Sequence, residues 1–265
     1  MRVLDPILAR KRDEVAERKR RVSEAELRER IASLPAPRDF AAAIGRGAAP
    51  RGGSRVAAIC EIKRRSPSGG EIRPGLDPAA IAREYESSGA AALSVLTDRD
   101  FFGGTDGDLQ SARAAATMPA LRKDFTIDPY QIVEARALGA DAVLLIVRAL
   151  RSRQLSDFVV LAESLGLAAL VEAHTGDEVD AALDAGATII GVNNRDLDTL
   201  VTRLDTSIEL RSKIPAGVIA VAESGIKTPD DVRRLAAVGY DAILVGESLL
   251  RAGSIGGALQ ELMKM

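Results

Sequence analysis

The sequence predicts an α/β protein built as a closed (β/α)8 barrel behind an N-terminal helical extension, and three observations carry that prediction. First, a phrase recurs in which a helical stretch ends in glycine, small residues follow and a short apolar run begins. It appears as Gly89-Ala-Ala-Ala-Leu-Ser-Val, Gly139-Ala-Asp-Ala-Val-Leu-Leu, Gly186-Ala-Thr-Ile-Ile-Gly-Val and Gly239-Tyr-Asp-Ala-Ile-Leu-Val, with the glycines 50, 47 and 53 residues apart. That period is too long for one strand-helix unit and right for two. Second, eight short runs are almost wholly apolar, as parallel strands covered on both faces require. Third, helix-start signals fall between them. A chain of 265 residues fits the ~250 of a TIM barrel; a doubly wound open sheet is the alternative.

The elements follow in order. Residues 1–54 form the extension and linker, and 55–265 the barrel, one domain overall. Val3–Ile31 reads as a helix with Leu4, Ile7, Leu8 and Val15 toward one face. Residues 10–30 carry nine basic and six acidic residues, which favours a solvated helix face over an RNA-binding arm. Pro35, Pro37, Gly45, Gly47, Pro50, Gly52 and Gly53 mark a loop-rich linker. The strands are β1 (Arg55–Lys63), β2 (Ala91–Thr97), β3 (Ala120–Phe125), β4 (Ala142–Val147), β5 (Ala168–His174), β6 (Thr188–Asn194), β7 (Val218–Ser224) and β8 (Ala242–Gly246). Asp77-Pro78, Asp128-Pro129 and Thr228-Pro229 each set a capping side chain before a first-turn proline. Thr175-Gly-Asp-Glu178 has capping-box spacing.

Composition removes several classes of function. The hydrophobic fraction, 46%, is ample for a core, and no apolar run approaches the ~20 residues of a membrane span. The Arg-rich start lacks a following apolar stretch, so a secretory signal is not expected and the chain reads as cytoplasmic. A single cysteine, Cys60, excludes a disulfide within the chain, and a single histidine, His174, excludes a His/Cys zinc site. Net charge of −2, 3% aromatic residues and no tryptophan argue against nucleic-acid binding. Chemistry must therefore run on Lys, Arg, Asp, Glu, Ser and Asn.

Active sites of such barrels sit at the carboxyl ends of the strands, so polar residues closing apolar runs are the informative ones. β1 closes with Glu61-Ile-Lys63, β3 with Lys123-Asp-Phe125, β5 with Glu172-Ala-His174 and β7 with Glu223-Ser224. Alternation puts Glu61 with Lys63, Lys123 with Phe125, and Asn193 with Arg195 after β6 on shared faces. Buried Lys and Glu are costly unless paired, and each keeps the other ionised. A Lys ammonium facing a carboxylate across a cavity can give a proton where the other takes one. One such pair would be an ordinary rim salt bridge; three glutamates and two lysines closing four strands favour chemistry. Ser224-Gly225 after β7 and Gly246-Glu247 after β8 stand where backbone amides bind phosphate in this fold, which favours a phosphorylated small-molecule substrate.

Three residues have bland readings. Alternation turns Cys60 away from the cavity, as a structural thiol. His174, at the strand's extreme end, suits a loop or capping role better than catalysis. Phe101-Phe102 could pack in the ordinary way or flank an aromatic ring of the substrate.

The motifs also match a known family. Glu61-Ile-Lys-Arg-Arg-Ser-Pro-Ser68, Ser94-Val-Leu-Thr-Asp98 with Phe101-Phe102-Gly103-Gly104, Leu121-Arg-Lys-Asp-Phe125 with Asp128-Pro-Tyr-Gln131, Val171-Glu172, Gly191-Val-Asn-Asn-Arg-Asp-Leu197 and Glu223-Ser-Gly-Ile226 occur in its order. With them the chain resembles, over nearly its whole length, indole-3-glycerol phosphate synthase of tryptophan biosynthesis. The resemblance implies a decarboxylating, dehydrating ring closure of 1-(2-carboxyphenylamino)-1-deoxyribulose 5-phosphate, with no cofactor and no metal. It implies Lys123 as general acid, Glu172 as base or cation stabiliser, and Glu61 with Lys63 in dehydration. Asn193, Arg195 and Glu223 match substrate-contacting positions, and Phe102 and Phe125 are expected to bind substrate. Ser66, Ser68, Ser224, Gly225, Gly246 and Glu247 fall in the segments lining the phosphate and carboxylate sites.

One departure stands in the first loop, Arg64–Leu76, expected to be mobile and to close over substrate. Gly69-Gly70 stands where many relatives have Lys-Gly, and Arg65 where a small residue is frequent, so Arg65 is expected to restore anion attraction. The rival readings are phosphoribosylanthranilate isomerase, whose chemistry needs a rim cysteine and aspartate, and a non-catalytic barrel scaffold. Barrels of this family are often monomeric, and a monomer is expected.

Overall fold

A computed structural model describes residues 4–45 and 56–264. Eight parallel strands close into one barrel: β1 (Ala57–Ile62), β2 (Ala92–Leu96), β3 (Ala120–Lys123), β4 (Ala142–Ile146), β5 (Ala168–Ala173), β6 (Ile189–Asn193), β7 (Ile219–Glu223) and β8 (Ala242–Val245). The ring is sealed where β1 pairs on one side with β8, Ala57 opposite Ala242, and on the other with β2, Ile59 opposite Ala92. All eight expected runs are strands, each ending a residue or more inside the expected bounds. Glu61, Lys123, Glu172, Asn193 and Glu223 stay in the ladder, at or next to the ends of their strands, and line the rim.

The helices are α1 (Leu4–Arg21), α2 (Glu24–Ala32), α3 (Phe40–Ile44), α4 (Pro78–Ser87), α5 (Asp106–Ala115) and α6 (Pro129–Ala137). After them come α7 (Ser152–Ser164), α8 (Gly176–Asp184), α9 (Asp205–Leu210), α10 (Pro229–Val238), α11 (Glu247–Leu250) and α12 (Ile255–Leu262). Asp77, Asp128 and Thr228 cap α4, α6 and α10 as their Pro-bearing starts require. The four glycines of the recurring phrase all take the left-handed conformation, φ +85° to +96°, that ends a helix and turns the chain toward the next strand.

Alternation sorts the strand residues into two layers. Ala58, Cys60 and Ile62 of β1 face outward into a layer shared with the helices. Ile59, Leu121, Leu170 and Leu244 face inward and fill the barrel. Phe40 and Ile44 of α3 and Leu4 and Ile7 of α1 join that inner cluster. Val15 and Leu27 pack on Tyr130 and Val133 of α6. Each such burial contributes ~1.5–3 kcal/mol, more than an exposed ion pair such as Lys19–Asp128 (~0–1 kcal/mol); the buried pairs of Lys11 with Asp98 and Asp124 join the same seat.

The extension differs from expectation in two ways. The single helix over Val3–Ile31 is two, broken at Val22-Ser23, because Ser23 and Glu26 form a capping box that starts a new helix. The linker contains α3, capped by Asp39, whose apolar Phe40 and Ile44 are buried. Gly47, Pro50, Gly52 and Gly53 of the linker, with Val3 and Arg55, lie outside the described residues. Elsewhere, Thr175 caps α8, but Glu178 returns its carboxylate to the His174 amide and not to Thr175, so that box is incomplete.

Candidate active site

The fifteen residues expected to act on or contact the substrate all line one cavity of about 750 Å³ at the carboxyl rim. At its centre stands Lys123, closing β3. Its Nζ donates to Glu223 Oε2 at 2.8 Å and lies 3.3 Å from Glu172 Oε2. Two strands round the barrel, at the end of β1, Lys63 Nζ meets Glu61 Oε1 at 2.5 Å. The Tyr85 hydroxyl donates to the Glu61 carbonyl at 3.1 Å and fixes that strand end from the helix layer. Asn193 Nδ2 donates to Glu172 Oε1 at 3.0 Å, and its own Oδ1 accepts from the Arg195 amide at 3.0 Å. One chain of contacts thus runs from β3 through β5 to β6.

Two glycines make room for these carboxylates. A Cβ at Gly191 would stand 2.1 Å from Glu223 Oε1, and one at Gly246 2.6 Å from Glu61 Cβ. The neighbouring strand gives up a side chain where each glutamate lies.

Three carboxylates share two ammoniums, and their titration reflects it. Burial would lower the Lys123 pKa, but Glu223, Glu172 and Glu61 outweigh it and hold the ammonium well above its usual range. Glu61, though buried, is held below the usual carboxylate range by Lys63 and Lys123. Glu223 goes the other way. Burial, with the nearby Glu172 charge, pushes it up to about 7 against the pull of Lys123, and its Oε1 has no hydrogen-bond partner among the described residues.

The loops after β7 and β8 form another wall of the cavity. Ser224 takes φ +65°, a left-handed conformation costing ~1–3 kcal/mol for a residue with a Cβ. Its carbonyl accepts from Asn194 Nδ2 at 3.0 Å, and Gly225 follows at φ +76°. Lys227, Ser248 and Arg251 line the same side. Among the described residues no group of three or more His, Cys, Asp or Glu is placed to hold a metal ion.

The family model described as indole-3-glycerol phosphate synthase matches residues 4–262. The chain belongs to that family. It is 48% identical over 260 residues to the indole-3-glycerol phosphate synthase of Aromatoleum aromaticum, covering 98% of each chain. To that of Chlorobium chlorochromatii it is 50% identical over 249 residues, 94% of this chain and 95% of the other. Solved structures show the barrel alone. A thiamine phosphate pyrophosphorylase from Pyrococcus furiosus superposes with TM-score 0.60 at 18% identity, over 79% of this chain and 94% of that one. A mandelate oxidase variant does so with TM-score 0.59 at 18% identity, over 91% and 84%. The family comprises decarboxylating lyases of tryptophan biosynthesis.

In this member of the indole-3-glycerol phosphate synthase family the first loop holds a small hairpin, Arg65–Ser66 against Gly70–Glu71. It is pinned across the rim. Arg195 Nη1 donates to Ser68 Oγ at 3.0 Å, Arg251 Nη2 to the Gly69 carbonyl at 2.6 Å and Arg73 Nη1 to the Leu250 carbonyl at 2.9 Å. The Arg65 guanidinium turns outward instead, to the carbonyls of Arg99 and Asp100, and does not line the cavity. The cation standing at Gly69 is Arg251, where a Cβ on residue 69 would come within 3.1 Å of Nη2.

Cys60 is fully buried in the outer layer and burial pushes its thiol up. His174 faces the loop after β6, Nδ1 2.6 Å from the Asn193 carbonyl and Nε2 3.1 Å from Asp196. Phe102 lines the cavity with Phe125, ring centroids 6.0 Å apart, whereas Phe101 does not. Sequence reasoning missed Leu4 and Ile7, which line the cavity from α1. Their spacing marked an apolar helix face, but nothing said that the face meets the rim. No helix among the described residues is long and apolar enough to cross a membrane.

Proposed function

We propose that this rim closes the indole ring of 1-(2-carboxyphenylamino)-1-deoxyribulose 5-phosphate, releasing carbon dioxide and water. The phosphate lies against Ser224, Gly225 and Gly246, and the carboxyphenyl ring against Phe102 and Phe125. Ser66, Ser68, Arg195 and Glu247 complete the substrate contacts. The ring carbon bearing the carboxylate attacks the ribulose carbonyl carbon while Lys123 gives its proton to the carbonyl oxygen. The bond to the carboxylate then breaks, its electron pair restores the aromatic ring, and carbon dioxide leaves. The new hydroxyl departs as water after protonation by Lys63, which Glu61 holds. A carboxylate takes the proton from the adjacent methylene carbon, forming the indole double bond. Glu172, tied to Asn193, either takes that proton or stabilises the cation formed on attack. Glu223 keeps the Lys123 ammonium in place.

The observation carrying this reading is Lys123 Nζ lying between Glu223 and Glu172, 2.8 and 3.3 Å away, in a cavity whose far wall suits a phosphate. Three exposed valines, Val160, Val201 and Val238, are the exposed large apolar side chains among the described residues. They stand on separate elements, which supports a monomer, and we place the activity in the cytoplasm. The buried, outward Cys60 leaves the isomerase reading without the rim cysteine it needs. The test is fluorescence on adding substrate to the purified protein in EDTA. The chain has no tryptophan, so an indole signal is the product's own. Multiple turnovers support the reading; bound substrate with no indole formed overturns it.

A further inference from the structure

Lys11 lies in the most charged stretch of the chain, yet its side chain is only 2% exposed. Its ammonium stands 2.9 Å from Asp98 Oδ2, 2.8 Å from Asp124 Oδ1 and 2.8 Å from Glu14 Oε2. Burial opposes the charge, but the three carboxylates outweigh it and hold the ammonium above its usual range. An apolar side chain of similar length would seat α1 on the barrel as well as a desolvated ammonium does. What the ammonium adds is a fixed distance between Asp98 and Asp124.

Both aspartates lead to the aromatic wall. Asp98 Oδ1 accepts from the amides of Phe101, at 2.8 Å, and Phe102, at 3.2 Å, and so shapes the turn after β2. Asp124 sits between Lys123 and Phe125, accepts from the Phe125 amide at 2.8 Å and from Thr97 Oγ1 at 2.6 Å. The rings of Phe102 and Phe125 then meet at 6.0 Å and 41°. The same helix places Leu4 and Ile7 in the cavity wall and ties Arg10 to Asp100 in that turn.

We propose that Lys11 is a positioning residue: by fastening Asp98 to Asp124 it sets the spacing of Phe102 and Phe125, and so the seat of the substrate's aromatic ring. The last clause rests on the proposed function; the spacing of the two rings does not.

Two variants test it. Lys11→Met removes the cation, and Asp98→Asn removes the charge it pairs with while keeping an oxygen for the two amides. In both, KM for the carboxyphenylamino substrate should rise about tenfold or more, about 1.4 kcal/mol of lost binding, with a smaller change in kcat. Inhibition by inorganic phosphate, which reads the loops after β7 and β8, should stay the same. In protein labelled with fluorophenylalanine, the Phe102 and Phe125 resonances should shift in both variants while those of Phe40 and Phe158 stay. An unchanged KM in folded Asp98→Asn, or KM and phosphate inhibition moving together, overturns the proposal. Shifted rings in a protein whose native form makes no indole would sink the functional reading and leave the positioning role standing.

Discussion

Lys123 and Glu223 stand one hundred residues apart, close β3 and β7, and meet with Nζ 2.8 Å from Oε2. They hold the same seat in two halves of one barrel and carry opposite charge. The pair joins the two sides of the cavity at the point where the proposed proton transfer begins.

Removing the ammonium is the most direct test of that pair. Lys123→Met should lose ~10²–10⁴-fold or more in kcat, the usual contribution of a positioned proton donor, with substrate binding partly kept. The indole signal under saturating substrate measures it. A loss of tenfold or less removes Lys123 from the central role.

Glu223→Gln should flatten a pH dependence of stability. The Glu223 carboxyl stands at about 7 in the fold against 4.5 ordinarily, so the fold binds its proton more tightly than the unfolded chain does. That contribution is complete below 4.5 and is lost as pH rises through 7. Denaturant midpoints taken between pH 4.5 and 8 should show native stability falling relative to Glu223→Gln, by on the order of 2–4 kcal/mol. Parallel curves for the two proteins would mean that Glu223 is ionised throughout.

Gly191→Ala probes the space under Glu223 without touching a charge. The added methyl would fall 2.1 Å from Oε1, so the carboxylate must move and its bond to Lys123 must lengthen. Overpacking of this kind costs ~1–3 kcal/mol, and kcat should drop at least tenfold in a protein that still folds. Unchanged kcat would show that the Lys123–Glu223 distance is not critical.

Cys60→Ser should leave kcat/KM nearly native and cost ~1–3 kcal/mol of stability for a hydroxyl in an apolar layer. A large loss of activity in folded protein would bring the thiol back into the chemistry.

The two arginines near the first loop should behave differently. Arg65→Ala should leave the salt dependence of KM unchanged, because its guanidinium already serves the carbonyls of Arg99 and Asp100. Arg251→Ala, which frees the Gly69 carbonyl, should raise KM several-fold. The reverse pattern, read from initial rates across a salt series, would restore the loop role to Arg65.

Much of this architecture was legible because its signals are local. A glycine after a helix, an aspartate before a proline and an apolar run of five residues each act within one turn of chain. The rim residues were legible because alternation along a strand is geometric and Lys or Glu at the end of an apolar run is conspicuous. What failed depended on distance or on competing local signals. Ser23-x-x-Glu26 was a readable break, masked by continuous helical composition on both sides. Lys11 looks like any other cation of its helix until Asp98 and Asp124 fold onto it. Arg251 follows an unremarkable short helix, and only closure of the barrel brings it to Gly69, as that same closure turns Arg65 away.

At the amino end of the barrel the two halves have stayed alike. The Asp141 amide donates to the Ala120 carbonyl at 2.9 Å, and its Oδ2 accepts from the Ala120 amide at 2.8 Å. Asp241 does the same to Ala220, at 3.0 and 2.9 Å. The identical brace is used twice at the foot of β3 and β7, and three residues further along each strand a lysine and a glutamate diverge. The floor of the molecule repeats a joint that ties the start of a strand to the residue before the next, and at Asp141 it also takes Arg38 and Arg113. Its ceiling, freed from that task, has been able to break symmetry and turn one seat into a donor and its counterpart into an acceptor.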